Sequence, residues 1–442
     1  MSVRVGASPA RRCAFAVVRR VFEKGAYTDR ALTAEAAGLE ARERALATVL
    51  AYGTVQRRGT LDHLVGRLCT RPLSELDPPV LAALRLGLFQ LLFMGGVADH
   101  AAVNESVELI KGTGRGGAAL VNAVLRRAAR EGPEMLAELS DSTAAGAAVL
   151  HSVPVWLAEK WWTELGEVQA RALMSAVNHP AEAAIRVNEL VSSADEVRAQ
   201  LPVPARDAAA LPEGLVLQEA FDVHGSELFA AGAVTPQSRA SMLVARVLAP
   251  APGSRVLDLC AAPGGKTTHL AALMGDQGTI VAVERHPGRA QALERTCARM
   301  HAGCVAVDVA DASQPRPEAG YDCVLVDPPC SGLGTLQSRP DRRWRASPEA
   351  IIELARLQRG ILGVAGDATA PGGALVYSVC TISREESEDV VEAFLGSHPH
   401  FGLEDLQAEY PQWRHPVAGS CLQLTPHRDR TDGFFIARFR RR

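Results

Sequence analysis

The sequence predicts an α/β protein in three parts: a sheet of parallel strands flanked by helices, preceded by an all-helical domain and a small α+β domain. Three observations carry this reading. Up to about Arg130, apolar residues recur every three or four positions, the spacing that keeps them on one face of a helix. After Pro252, short apolar runs alternate with helical stretches, and strict alternation of strand and helix implies parallel strands joined by crossovers. Between these regions helix-like patterns give way to a strand-like run at Ala184 to Val187, and the texture changes again near Ala233.

The amphipathic stretches of the first part are Cys13 to Phe22, Ala41 to Gln56, Leu61 to Leu68, Pro78 to Met94, Ala101 to Lys111 and Gly117 to Ala129, with Gly and Pro between them. A Pro-, Ser- and Ala-rich stretch from Gly132 to Pro154 reads as a linker. Helical patterns at Trp156 to Glu164 and Val168 to Val177 open the middle part. The last part offers strands at Arg255 to Leu259, Thr279 to Glu284, Cys304 to Val307, Asp322 to Asp327 and Ala374 to Ser378, with helices at Lys266 to Met274, Arg289 to Met300 and Pro348 to Ala365. The resulting boundaries are 1–135 for the helical domain, 150–233 for the intermediate α+β domain and 234–442 for the α/β domain. Domains of roughly 100–200 residues each suit the length.

Composition excludes several classes. With 47% hydrophobic and 22% charged residues the chain is not a disordered one, and with only 5% aromatic residues its cores must be aliphatic. The most apolar stretch, Val80 to Gly96, is interrupted by Arg85 and Gln90 and falls short of the roughly 20 residues needed to span a bilayer. Arg4, Arg11, Arg12, Arg19 and Arg20 occupy the place of an apolar signal region, so a cytoplasmic protein is expected. Nine cysteines without a C-x-x-C pair favour neither a disulfide framework nor a zinc site, and no metal is expected. Reduced cysteines can act as nucleophiles. The net charge of −3 says little about nucleic acid, because phosphate affinity depends on where the cations sit. Arg339, Arg342, Arg343 and Arg345 crowd around Trp344, and Arg342 and Arg343 are expected to contact phosphates. Arg438, Arg440, Arg441 and Arg442 form a second cluster, which a solvated surface explains equally well.

The run D-L-C-A-A-P-G-G-K-T, Asp258 to Thr267, leaves a strand and enters a helix. Gly264 and Gly265 let the backbone turn tightly and approach a ligand. A nucleoside triphosphate loop would need G-x-x-x-x-G-K-[ST], and its first glycine is Cys260 here. A dinucleotide loop would need G-x-G-x-x-G, which Ala262, Pro263, Gly264 and Gly265 do not supply. S-adenosylmethionine remains. Its ribose diol calls for a carboxylate at the end of the second strand, and Glu284 stands there, twenty residues after Gly264. Asp308, ending the third strand, is placed for the adenine edge. Each acid alone would more often be a solvated loop residue; two at successive strand ends make chance a weaker explanation.

The fourth strand ends V-D-P-P-C-S-G, bringing Asp327 and Cys330, and the fifth ends Y-S-V-C-T, bringing Cys380. A free cysteine is ordinarily a small buried hydrophobe, but these two share the edge of the sheet where ligands bind. Pyrimidine C5 becomes nucleophilic only after a thiolate adds to C6, and a base must then remove the C5 proton. That chemistry needs a thiol, an acid near N3 and N4, and a base or second thiol for release. Cys380, Cys330 and Asp327 are of these types, and Lys266 could hold a thiolate or carboxylate in place. The residues alone leave open which cysteine attacks.

The motifs D-L-C-A-A-P-G-G-K-T-T-H-L, V-D-P-P-C-S-G-L-G-T, R-P-D-R-R-W, L-Q-x-x-I-L and V-Y-S-V-C-T resemble those of the RsmB (Sun/Fmu-type) family of 16S rRNA cytosine-C5 methyltransferases. A-V-N-E-S-V-E-L and L-V-N-A-V-L-R-R in the helical part resemble the antitermination factor NusB, and A-I-R-V-N at Ala184 to Asn188 and T-D-G-F-F at Thr431 to Phe435 extend the likeness to nearly the whole chain. The resemblance implies a Rossmann-like class I methyltransferase domain behind an RNA-binding NusB-like domain, S-adenosylmethionine as cofactor and 16S rRNA as partner, with a monomer favoured. It implies Cys380 as nucleophile and Cys330 in release of the methylated RNA. It also implies a cofactor site made of Cys260, Ala261, Ala262, Pro263, Gly264, Gly265, Lys266, Glu284, Arg289, Asp308 and Asp327. The chain departs from the family pattern at Val379 and Thr381 around the nucleophile, at Pro236 to Ser238 and at Arg339 to Trp344. Two alternatives follow: a paralogue acting on another RNA cytosine, and a non-catalytic RNA-binding or ribosome-assembly protein.

Overall fold

A computed structural model describes residues 6–111 and 116–442; Arg4 lies outside them. The chain forms two compact units, one of residues 1–180 with Leu336–Arg345, the other of Ala181–Thr335 with Ala346–Arg442.

The first unit is helical: α1 (Pro9–Lys24), α2 (Thr28–Glu35), α3 (Ala41–Gln56), α4 (Arg58–Leu68), α5 (Pro78–Phe93), α6 (Asp99–Glu108), α7 (Gly117–Ala137), α8 (Ala144–His151), α9 (Val155–Leu165) and α10 (Glu167–Ala176). Its core is aliphatic, built around Leu50, Leu61, Leu64, Leu84, Leu86 and Leu88. The apolar stretch from Val80 is the central helix α5, and its two polar interruptions are satisfied inside the unit. Arg85 makes a two-pronged ion pair with Asp62 (2.6 and 2.8 Å), and Gln90 accepts from Arg11 Nε at 2.6 Å. Among the described residues no helix is long and apolar enough to cross a membrane.

Two expectations are corrected in this unit. The stretch read as a linker is largely helical: α7 runs through Pro133 to Ala137, and α8 starts where the Thr143 hydroxyl accepts from Gly146 N. Small and Pro-rich composition resembles a linker, but a cap and burial of Ala147 and Ala148 make it a helix. The second correction concerns the arginines around Trp344. Arg343 is fully buried and donates to the carbonyls of Ser152 (3.0 Å) and Val177 (2.9 Å) and to Asn178 Oδ1 (2.9 Å). Burial lowers its pKa to about 9. A side chain so engaged holds helix ends together and meets no phosphate. Trp344 donates its indole N–H to the Val55 carbonyl at 2.7 Å.

The second unit holds two sheets. In the smaller, β1 (Ala184–Val187), α11 (Ala194–Gln200), β2 (Ala205–Ala208), β3 (Leu211–Leu217), α12 (Glu227–Ala230) and β4 (Val234–Pro236) follow in the chain, and the strands pair antiparallel in the order β2-β3-β1-β4. Helix α13 (Arg239–Leu248) leads to the larger sheet, made of β5 (Arg255–Asp258), β6 (Thr279–Val283), β7 (Val305–Asp308), β8 (Tyr321–Val326), β9 (Thr369–Val379), β10 (Phe401–Leu403), β11 (Leu422–Leu424) and β12 (Phe434–Arg441). Helices α14 (Gly265–Leu273), α15 (Pro287–Arg299), α16 (Pro348–Ala368) and α17 (Glu388–Ser397) connect the strands, and a short α18 (Pro426–Asp429) precedes β12.

The larger sheet has the order β10-β12-β9-β8-β5-β6-β7, with β11 on β12. Strands β5 to β9 are parallel, as expected, but β10, β11 and β12 add an antiparallel margin. Most of the arginines ending the chain lie on β12. Arg438 pairs with Glu404 and Glu409, and Arg440 with Glu404, so these two are spent on neighbouring carboxylates, while Arg441 donates to the Gly366 and Asp367 carbonyls.

Chain order explains where a site must form. From β5 the chain moves outward through β6 to β7, then crosses back to β8 on the other side of β5. The loops leaving β5 and β8 therefore diverge in opposite directions and open a crevice at the carboxyl ends of these strands.

Candidate active site

The loop after β5 supplies one wall of that crevice. Gly264 caps α14 at φ 105°, and a Cβ there would lie 2.9 Å from Leu293 Cδ1 and 3.1 Å from Thr296 Cγ2. No other residue fits both the backbone angle and the space. Ala261 N bonds to the Val283 carbonyl at 3.0 Å, and Gly264 N to the Ala261 carbonyl at 2.8 Å, so the loop from Cys260 through Ala262, Pro263 and Gly265 is folded onto the end of β6. Glu284 and Asp308 follow β6 and end β7, their backbones joined by a 3.0 Å bond from Glu284 N. Arg289 ties the loop to the end of β6, donating to the Ala262 carbonyl at 2.8 Å and lying 3.3 Å from Glu284 Oε2. Asp308 pairs with Arg316.

Asp258, at the end of β5, was legible only as the first letter of the loop motif. It is buried, its Oδ2 accepts from Thr267 at 2.7 Å, and its Oδ1 has no hydrogen-bond partner. Burial pushes its pKa up to about 6. An unpartnered buried carboxylate oxygen under a glycine cradle suits a cationic or N–H-bearing ligand, and a ribose finds Glu284 on the adjoining strand end. These residues fit S-adenosylmethionine, which carries an ammonium, a sulfonium and a ribose diol. Gly264→Ala is expected to weaken cofactor binding by about tenfold or more, since strain of about 1–3 kcal/mol must be relieved by moving the loop. Titration calorimetry with S-adenosylmethionine checks this; unchanged affinity would show that the loop tolerates a Cβ.

The opposite wall carries the reactive groups. Cys330 Sγ and Cys380 Sγ lie 3.2 Å apart, although fifty residues separate them in sequence. Adjacent parallel strands β8 and β9 bring their carboxyl ends together. Asp327 is the residue after β8; its Oδ2 accepts from Lys266 Nζ at 2.7 Å and its Oδ1 from Ser378 Oγ at 3.0 Å. Burial opposes the charge on Lys266, but Asp327 and the neighbouring Cys380 outweigh it and raise the ammonium pKa. The Lys266 ammonium also sits 5.1 Å from the Phe434 ring centre. Cys330 is raised well above the ordinary thiol range, first by its hydrogen bond with Cys380 and then by burial. Cys260 is likewise raised by burial, which makes it part of the loop rather than a reactive thiol.

Backbone contacts lock the two cysteine loops. Gly334 N donates to the Cys380 carbonyl at 3.1 Å, and Gly433 N to the Gly334 carbonyl at 2.7 Å. A Cβ on Gly334 would fall 2.0 Å from the Gly433 oxygen. The glycines of S-G-L-G-T and T-D-G-F-F are thus there for close approach. Sequence reading missed a further set: Glu386, Ser331, Gln358, Tyr377 and Ser378, all buried beside the cysteines. Ser331, Gln358, Tyr377 and Ser378 belonged to quoted motifs but had no role assigned, and Glu386 belonged to none.

Comparison with known proteins agrees with this architecture. The family described as 16S rRNA methyltransferase RsmB/F matches residues 245–440, the NusB family residues 8–130, and the ferredoxin-like domain of RsmF/B-like methyltransferases residues 153–224. The chain is 36% identical to the probable ribosomal RNA small subunit methyltransferase B of Synechocystis, over 98% of this chain and 99% of that protein. It is 38% identical to ribosomal RNA small subunit methyltransferase B of Thermus thermophilus, over 90% and 89%. The solved structure of PH0851 matches with a TM-score of 0.84 at 28% identity, covering 99% of this chain and all of that one. A Rossmann-like sheet with a glycine cradle, a NusB-like helical part and full-length relatives together place the chain in the RsmB/F family of S-adenosylmethionine-dependent ribosomal RNA methyltransferases.

Proposed function

We propose that this enzyme forms 5-methylcytosine in 16S rRNA, with Cys380 adding covalently to C6 of the target base. The observation that carries the reading is the pair of sulfurs 3.2 Å apart beside Asp327 and Lys266, at the mouth of the cofactor crevice. A methyltransferase acting on a ring nitrogen or a ribose hydroxyl has no use for a thiol pair, whereas C5 of a pyrimidine does.

In this reading the Cys380 thiolate adds to C6, and the electron pair reaches C5, which then takes the methyl group. S-adenosylmethionine supplies that methyl as an electrophile. A water then takes the C5 proton, its C–H electron pair re-forms the C5–C6 double bond, and the C6–S bond breaks with its pair leaving on the Cys380 sulfur, which restores the aromatic ring. Lys266 holds Asp327 in place, and Asp327 is positioned to accept from the exocyclic amine of cytosine, a donor that uracil lacks. Cys330, kept as a thiol, donates to the Cys380 sulfur as negative charge returns to it.

The remaining assignments belong to the same reading. Residues 1–135 dock RNA, 150–233 form the intermediate domain, and 234–442 carry catalysis; the family matches at 8–130, 153–224 and 245–440 support this division. The enzyme works in the cytoplasm as a monomer and needs no metal.

The test is to incubate the protein with methyl-labelled cofactor and unmodified small-subunit RNA, then digest the RNA to nucleosides. Label co-migrating with 5-methylcytidine is expected. Label in another nucleoside would overturn the C5 assignment, label only with a different RNA would identify a paralogue, and no label with any RNA would favour an assembly protein.

A further inference from the structure

We propose that Glu386 is a positioning residue of the methyl transfer: its buried carboxylate clamps the loop carrying Cys330 to the strand end carrying Cys380 and so sets the spacing of the two sulfurs. The proposal rests on the reading that both thiols work on one base.

Glu386 has no exposed surface, although it lies in the run R-E-E-S-E, where three of five residues are acidic. Each of its oxygens is doubly engaged. Oε1 accepts from Ser331 N at 2.8 Å and from Gln358 Nε2 at 3.0 Å; Oε2 accepts from Ser331 Oγ at 2.5 Å and from Thr381 Oγ1 at 3.2 Å. Ser331 follows Cys330 and Thr381 follows Cys380, so one carboxylate grips the residue after each cysteine. Gln358 extends the grip to the other side of Cys330, donating to the Pro329 carbonyl at 2.9 Å. Tyr377 closes the set, with its hydroxyl 2.6 Å from the Glu386 carbonyl and 3.1 Å from Gln358 Oε1.

A buried carboxylate is expensive unless its lone pairs are filled. Here four donors fill them, and all four come from the elements that carry or support the two cysteines. The two segments also meet directly, through Gly334 N on the Cys380 carbonyl at 3.1 Å and through the Ser331 and Thr381 hydroxyls 2.9 Å apart, but Pro328 and Pro329, which precede Cys330, have no N–H to give. Glu386, six residues beyond Cys380, adds a side chain that takes both the backbone N–H and the hydroxyl of Ser331, and reach rather than charge is the property the clamp needs. A glutamine can keep three or more of the bonds, since its amide oxygen can accept from Ser331 N and Gln358 while its N–H group donates to the Ser331 and Thr381 hydroxyls. An aspartate keeps the charge but is one methylene short and cannot grip both residues.

The experiment uses dibromobimane, a reagent that becomes fluorescent when both its arms alkylate thiols close to one another. The full-length protein is treated well below its melting temperature, and the signal of Cys330→Ser is subtracted as the background of the other cysteines. Rapid cross-linking is expected for wild type and Glu386→Gln, with loss of at least tenfold in rate for Glu386→Asp and Glu386→Ala. In parallel, kcat for label transfer should fall by about 100-fold in the Asp and Ala variants, with KM for RNA nearly unchanged and Gln within a few fold of wild type, as expected when reacting groups are misplaced by about 1 Å. If Glu386→Ala does not fold, the contrast between Asp and Gln decides. Cross-linking in Glu386→Asp as fast as in wild type, or its loss in Glu386→Gln, would overturn the proposal. Because the thiol measurement needs no RNA, a failure of the 5-methylcytosine reading would leave it standing or falling on its own.

Discussion

Replacing Cys380 by serine is expected to lower methyl transfer by on the order of 10⁴-fold or more while leaving S-adenosylmethionine binding close to wild type. A serine hydroxyl is far less acidic than a thiol and forms a poorer nucleophile toward C6 at neutral pH. The nearby Lys266 ammonium, which could stabilise an alkoxide, is already engaged by Asp327 at 2.7 Å. The cofactor cradle is built from Gly264, Glu284 and Asp258 on β5 and β6 and their loops, so its affinity should not change. The measurement is a single-turnover reaction with methyl-labelled cofactor and unmodified small-subunit RNA, alongside calorimetry for the cofactor. Equal labelling by wild type and the serine variant would end the covalent mechanism, whatever the product.

Much of the second unit was legible because its strands are short apolar runs whose ends carry the chemistry. The spacing from Gly264 to Glu284 and the alternation of strand and helix put Glu284, Asp308, Asp327, Cys330 and Cys380 at one edge, and the structure has them there. Other parts were hidden for physical reasons. Strand β3 reads L-P-E-G-L-V-L, and its Pro and Gly argue against a strand until its partners β1 and β2 are known. Strand β12 reads as a basic tail because the carboxylates that neutralise it, Glu404 and Glu409, lie some thirty residues away in sequence. Arg343 belongs to a ten-residue segment that packs with the helical unit although its flanks belong to the other. No local pattern announces that excursion, so an arginine that caps helix ends looks like one that meets phosphate. Glu386 is the sharpest case. In sequence it is one acid in an acidic run, and a solvated face is the ordinary fate of such a run; only the four donors around it separate it from Glu385 and Glu388.

The second large effect should come from Cys330→Ala, which is expected to stall the reaction after methyl transfer and leave RNA covalently attached to Cys380. Departure of Cys380 requires that negative charge return to its sulfur in a site where Asp327 and Glu386 already contribute negative charge. The Cys330 thiol lies 3.2 Å from that sulfur, and burial together with the Cys380 contact keeps its pKa well above the ordinary thiol range. At that distance the Cys330 thiol can hydrogen-bond the departing thiolate. Alanine removes the donor and leaves a small apolar gap, while two nearby hydroxyls are already engaged, Ser331 Oγ with Glu386 at 2.5 Å and Ser378 Oγ with Asp327 at 3.0 Å. Addition at C6 does not need Cys330, so one methyl per enzyme should still be transferred. On a denaturing gel most of the protein should then run as a slow, ribonuclease-sensitive band carrying label, where wild type shows only a trace. Turnover should stop near one. The double variant Cys330→Ala/Cys380→Ser should show no such band, which ties the adduct to Cys380. Continued multiple turnover by Cys330→Ala with no adduct would mean that Cys380 leaves without help, and that the second thiol serves only to pack against the first.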